Sequence, residues 1–179
     1  MNIFSWLRKP TAIIMHGLPC SGKSSWVNTF LVKNPNYVLI SSDDEVNLIA
    51  ELNGITYNDM FKQENKTLMK LAQTAQYEKL KQAIKKKKNV IIDKVHSDYY
   101  SRKNSLSHFK DTKYKKKCVS LPYISKEKFI EREMNRYENG LKYGLTKSIN
   151  VSVYESFVKD YSKPNLKEGF DEVIYADVE

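Results

Sequence analysis

The chain has 179 residues, 41% of them hydrophobic, and its 30 lysines and arginines against 21 acids give a formal charge of +9. That length suits one domain, residues 1–179, with a buried core, and no apolar run approaches the ~20 residues of a membrane span. Its two cysteines, without metal-like spacing, provide neither a disulfide framework nor a zinc site, so a reducing, cytoplasmic location without membrane contact is expected.

Residues 1–10 read as a short extension, because their apolar stretch is too short for a signal peptide and Arg8 and Lys9 follow it instead of preceding it. Residues 11–16 form an apolar run expected to be a buried strand. Next comes Gly17-Leu18-Pro19-Cys20-Ser21-Gly22-Lys23-Ser24, which spells G-x-x-x-x-G-K-[ST], with Ser25 opening a helix over residues 23–32. A loop between strand and helix with these residues cradles phosphates: consecutive N–H groups converge at a helix N-terminus, where the macrodipole favours negative charge. The Lys23 ammonium is then placed for the β- and γ-oxygens and the Ser24 hydroxyl for Mg²⁺. ATP and Mg²⁺ are the expected small-molecule partners.

A second strand over 37–40 ends in Ser41-Ser42-Asp43-Asp44 and is followed by a short helix over 45–52. A long helix over 58–87 has its apolar face on Leu68, Leu71, Ala72, Ala75, Leu80, Ala83 and Ile84. A third strand, 89–93, closes on Asp93, and residues 97–109 look helical. A fourth strand spans 114–121, stopped by Pro122, and a helix over 126–137 is opened by Ser125 as N-cap. The basic loop 139–147, with Gly140 and Gly144, is a candidate moving lid. A helix over 151–161 and a last strand over 171–175 complete the chain. Strands alternating with helices argue for a parallel sheet wrapped by helices, with ligands at the carboxyl ends of the strands.

Asp43 and Asp44 therefore face the expected triphosphate. One of them can take the proton of an attacking hydroxyl, and the other can cap the following helix; the base reading is assigned to Asp43 and the cap to Asp44. Asp93 is placed to orient Mg²⁺ through water. Only four of the basic residues are arginine, Arg8, Arg102, Arg132 and Arg136, in a chain that otherwise uses lysine, so each marks a place where a planar fork is wanted. Arg132 and Arg136 stand four apart on one helix face, positioned for a clamp on the transferred phosphoryl or for pairing with Glu131, Glu133 or Glu138. Lys94, His96 and Arg102, after Asp93, are acceptor-side candidates together with Asp44 and the lid lysines Lys142 and Lys147. Cys20 reads as a small loop filler. The lysine runs 85–88 and 113–117 fit a nucleic-acid partner or plain solvated surface.

In this order the residues resemble the kinase domain of the bacteriophage polynucleotide 5′-hydroxyl kinases and related P-loop kinases. The shared pattern is Gly17 to Ser24 with Ser25-Trp26, Lys33-Asn34-Pro35, Asp43-Asp44, Asp93, then Phe129, Arg132 and Arg136, and finally Tyr154 and Tyr161-Ser162-Lys163-Pro164. The resemblance implies a five-stranded parallel sheet of order 2-3-1-4-5, Lys23 and Ser24 on the ATP phosphates and Mg²⁺, Asp43 as general base and Arg136 as the lid-side arginine. Two positions depart from it: Val46 stands where the phage kinases carry an arginine, and Lys94-Val95-His96 where many relatives carry Thr-Asn. The expected function is transfer of the ATP γ-phosphate to a hydroxyl of nucleic acid, with a 5′-hydroxyl end of DNA or RNA first. The alternatives are a kinase of a modified base or small molecule, and a non-catalytic ATP-binding protein.

Overall fold

A computed structural model describes residues 9–142 and 147–177. The element order is β1 (Thr11–His16), α1 (Lys23–Lys33), β2 (Tyr37–Ser41), α2 (Ser42–Leu52), α3 (Lys66–Lys85), β3 (Asn89–Asp93), α4 (Tyr99–Ser107), β4 (Lys115–Ser120), α5 (Lys126–Leu141), α6 (Val151–Lys159) and β5 (Glu172–Tyr175). The five strands form one parallel sheet in the order β2-β3-β1-β4-β5, as expected.

Both faces of the sheet are covered, which is why its central strands are unbroken apolar runs. Alternate side chains point to opposite faces. Ala12, Ile14, Val90 and Ile92 meet Leu80 and Ala83 of α3 and Leu106 of α4. Ile13, Met15, Ile91 and Val119 meet Val27 of α1 on the other side. A third cluster, Val46, Ile49, Ala50, Met60 and Ala72, joins α2 to α3. A fourth, Leu18, Ile124, Phe129 and Tyr154, seats α5 and α6 against the glycine-rich loop, with the Phe129 and Tyr154 rings stacked 4.6 Å apart. No helix among the described residues is long and apolar enough to cross a membrane.

Three elements differ from the sequence reading. The long helix begins at Lys66, not at 58, because Thr56 and Asp59 bond each other's backbone and side chains (Thr56 Oγ1 to Asp59 Oδ2, 2.6 Å) and close a turn of their own. Two 3-10 turns, Asp59–Phe61 and Gln63–Asn65, fill the gap. The N-cap of α2 is Ser41, whose Oγ accepts from the Asp44 N–H at 3.1 Å, so Asp44 is not the cap. Helix α5 continues through Gly140 to Leu141, which makes the first part of the expected lid helical. Residues 143–146 of that lid, and residues 1–8 of the expected extension, lie outside the described residues.

The lysine runs sit together. The Tyr114 hydroxyl donates to the Lys88 carbonyl at 2.7 Å, and the Lys115 N–H to the Pro10 carbonyl at 2.8 Å. These contacts lie at the amino ends of β1, β3 and β4, the opposite edge from the glycine-rich loop.

Candidate active site

The carboxyl ends of β1, β2 and β3 open onto one cleft of about 750 Å³. The parallel register sets Ser41 opposite Asp93, so the acids that follow β2 and close β3 are neighbours beside the loop that leaves β1. Pro19, Cys20, Gly22, Lys23, Ser24 and Ser25 line the cleft from the loop side, and Ser42, Asp43 and Asp93 from the strand ends. Gly17, Leu18 and Ser21 lie beneath. A Cβ on Gly17 would come 2.6 Å from Ser21 Oγ, and the residue sits at φ +146°, so glycine is required there by both space and backbone. Leu18 is fully buried, and only its carbonyl serves the site.

The Lys23 ammonium donates to the Gly17 and Leu18 carbonyls at 2.9 and 2.7 Å, with the side chain almost wholly buried. Burial lowers its pKa to about 8, against the pull of Asp93 and Asp43. Ser24 Oγ donates to Asp93 Oδ2 at 2.8 Å. Burial raises the Asp93 carboxyl, the Ser24 bond and Lys23 draw it down, and the neighbouring carboxylates of Asp43 and Asp44 leave it raised on balance. Cys20 adopts a left-handed backbone (φ 61°), and its Sγ donates to Glu133 Oε2 at 3.2 Å. Burial pushes that thiol up to about 11, which supports the loop-filler reading.

Asp43 is held on both oxygens. The Tyr57 hydroxyl donates to Oδ1 at 2.8 Å, and Lys147 forms an ion pair with Oδ2 while lying 4.3 Å over the Tyr57 ring. Burial pushes the Asp43 carboxyl up, but the Lys147 charge, the two hydrogen bonds and Lys23 outweigh it and hold it below its ordinary value. On the facing wall, Arg132 Nη1 donates to the Cys20 carbonyl at 3.0 Å and Arg136 pairs with Glu133. Glu133 also accepts from the Ile149 N–H at 2.7 Å, so one buried carboxylate ties the loop, α5 and the segment before α6 together.

The structure brings Lys94 to the cleft and Lys147 onto Asp43, but not the other acceptor-side candidates. His96 is fully buried; its Nδ1 contacts the Met15 carbonyl at 2.7 Å and its Nε2 the Ser105 hydroxyl at 2.8 Å, so it is a core residue. Arg102 is also fully buried. It makes a two-pronged pair with Glu168, at 2.7 and 2.8 Å, and donates to the Ser162 carbonyl, so its fork serves packing and not phosphate. Asp44 does not line the cleft. Lys142 is exposed and bonds Asn139. Tyr57 gives no sequence signal for a role at the site, because a tyrosine in a turn is too common; Glu133 enters the sequence reading only as a candidate partner of the arginines, and its pairing with Arg136 is that alternative.

Whether this donor set suits the expected ligands can be judged from its own chemistry. The loop leads into the N-terminus of α1, and Arg136 Nε is buried beside it with no hydrogen-bond partner among the described residues; both suit a polyphosphate. The Ser24 hydroxyl and Asp93 carboxylate are hard oxygen donors of the kind that hold Mg²⁺ with phosphate and water.

A family model described as AAA domain matches residues 13–154. No curated protein matches the chain. Among solved structures, a putative kinase from Chloroflexus aurantiacus j-10-fl superposes with a TM-score of 0.70 at 14% identity, over 96% of this chain and 86% of that one. A chain of the Pnkp1/Rnl/Hen1 RNA repair complex gives 0.66 at 20% identity, over 86% of this chain and 44% of its own, so the present chain spans under half its length. A fungal RNA kinase gives 0.54 at 17% identity, over 96% and 77%. At such identities the likeness is one of fold.

Proposed function

We propose that this chain, which belongs to the AAA-domain family on the match over residues 13–154 and has a P-loop kinase fold, transfers the γ-phosphate of ATP to a hydroxyl of nucleic acid, with a 5′-hydroxyl end as the first candidate. The observation that carries the reading is the placement of Asp43, Lys23, Ser24 and Asp93 around one cleft, faced by Arg132 and Arg136. A protein that only bound nucleotide would have no use for a carboxylate beside the γ-phosphate position together with a guanidinium pair across from it.

In this mechanism the loop N–H groups and Lys23 hold the phosphate chain, and the arginines meet the charge that spreads over the transferred group. Ser24 and Asp93 are the residues that would hold Mg²⁺, which would supply neutralisation of the phosphate charge. The acceptor hydroxyl replaces Lys147 on Asp43 Oδ2. Its oxygen forms the new bond to phosphorus as the bond to the ADP oxygen breaks, and its proton passes to Asp43. A carboxylate below its ordinary pKa suffices, because a loose transition state asks for proton transfer late. The polymer acceptor is supported by the Asp and Arg spacing shared with polynucleotide kinases.

The test is transfer of labelled γ-phosphate to 5′-hydroxyl DNA, 5′-hydroxyl RNA, hydroxymethylated DNA and nucleosides. Asp43→Asn is expected to keep ATP binding and to lower the rate at saturating substrate by about 10²- to 10⁴-fold. Asp44→Asn is expected to stay active. The reverse pattern would move the base to Asp44, and labelling of small hydroxyl compounds alone would remove nucleic acid as the acceptor.

A further inference from the structure

Beyond Asp43 the cleft continues into an arm between α2, the 3-10 turns and α3. Its walls are Val46, Phe61, Met69 and Ala72, and its polar atoms include those of Gln73 and Gln76. Val46 and Ala72 are buried members of the α2–α3 cluster, so this wall is part of a packed core edge and is preformed. Gln73 and Gln76 stand three apart on α3 and so share a face. Neither carboxamide has a hydrogen-bond partner among the described residues. The residues that α2, the turns and α3 contribute to the cleft include no lysine or arginine.

That composition selects among ligands. A phosphate needs a cation or a row of N–H groups, and this wall offers neither. A polyhydroxylated acceptor needs polar partners on most sides, whereas here Val46, Phe61, Met69 and Ala72 form a continuous apolar face beside the two carboxamides. A planar heterocycle has two apolar faces and an edge of alternating donors and acceptors, and a carboxamide presents one of each side by side. The arm begins at Asp43, next to where the acceptor hydroxyl must stand.

We infer that the arm is a base pocket: it takes the nucleobase attached to the acceptor hydroxyl, against Val46, Met69, Ala72 and Phe61, and reads its edge through Gln73 and Gln76. The inference rests on the nucleic-acid reading above and adds that the acceptor is gripped by its terminal base, because the cations nearest the arm, Lys147 and Lys94, stand at its mouth beside Asp43 and not within it. Recognition then needs only the terminal nucleoside unit, and the chain discriminates among the four bases.

The test is equilibrium binding, by calorimetry, of 5′-hydroxyl dinucleotides carrying each of the four bases or an abasic unit at the 5′ position, in the presence of a non-hydrolysable ATP analogue. One base is expected to bind about 5- to 150-fold more tightly than the abasic unit, the range that one good carboxamide–base pairing gives. Gln73→Leu and Gln76→Leu, which keep bulk and helix propensity, are expected to erase that preference and leave affinity for the ATP analogue unchanged. Equal binding of the abasic unit, a preference that survives both substitutions, or no dinucleotide binding at all overturns the pocket. Transfer of label to the same dinucleotides is measured alongside. Glutamine-dependent binding without transfer would remove the kinase reading and leave the pocket. Transfer without base preference would do the opposite.

Discussion

Lys23 shows how much one side chain can depend on its surroundings. Its ammonium is enclosed by the loop that it serves, and burial lowers its pKa to about 8. Only the protonated form makes charge-assisted bonds to phosphate. Affinity for ATP should therefore hold steady from pH 7 to about 8 and then weaken, approaching tenfold per pH unit as the free protein loses the proton. Calorimetric titration from pH 7 to 9.5 would show the break, and Lys23→Ala should bind more weakly throughout without it. A flat profile in the native chain would mean that the loop N–H groups, not the lysine, carry the phosphate. Asp43 is the complementary case, a carboxylate whose two oxygens are both engaged, by Tyr57 and Lys147; under the proposed mechanism an acceptor would have to displace Lys147 to reach it.

At the scale of elements, α4 is anchored by Arg102, whose fork reaches Glu168 in the 3-10 turn Leu166–Glu168 and the Ser162 carbonyl after α6. Both side chains of the pair are almost fully buried, at 0% and 3% exposed. Arg102→Met leaves the Glu168 carboxylate buried without its cation and should lower unfolding free energy by about 3–5 kcal/mol, read from urea denaturation. Adding Glu168→Leu should restore much of that loss, and the folded fraction should keep its ATP affinity throughout. Loss of ATP affinity in folded Arg102→Met would return Arg102 to the site. The same residue shows what was legible in the chain. The phosphate loop, the five strands and the acids at their ends are local patterns, readable from spacing and apolar periodicity. The partners of Arg102 and His96 are not: Glu168 lies 66 residues beyond Arg102, and the Met15 carbonyl 81 residues before His96. Spacing put both side chains after Asp93, while packing turned them inward. The start of α3 was missed for a shorter-range reason, because the Thr56–Asp59 turn competes with a helix that propensity alone would begin earlier.

For the molecule as a whole, two histidines fully enclosed by the fold set a response to acid. Burial, with the nearby charges of Arg102 and Lys23, lowers the His16 ring to about 4. Burial outweighs the Met15 carbonyl contact and lowers His96 to about 3. The unfolded chain protonates both near 6.5 and the folded chain does not. They add no pH dependence above about 7, and stability falls as pH drops from about 6.5 toward 4, by about 1.4 kcal/mol per pH unit for each ring. Urea midpoints at pH 7.5 and 5 should differ accordingly; equal midpoints would show that the folded chain accepts these protons. Charge is distributed at the same scale. The lysines of residues 85–88 and 113–117 lie at the amino edge of the sheet, and six residues of β1 separate that edge from the cleft, about 20 Å of strand. That exceeds the ~8 Å over which salt lets charges sense each other. If the proposed polynucleotide acceptor is right, its adhesion and its turnover would therefore be distinct observables. The slope of retention against ionic strength would count any phosphates touched at the far edge, whereas a dinucleotide, too short to bridge the two, would report on the cleft alone.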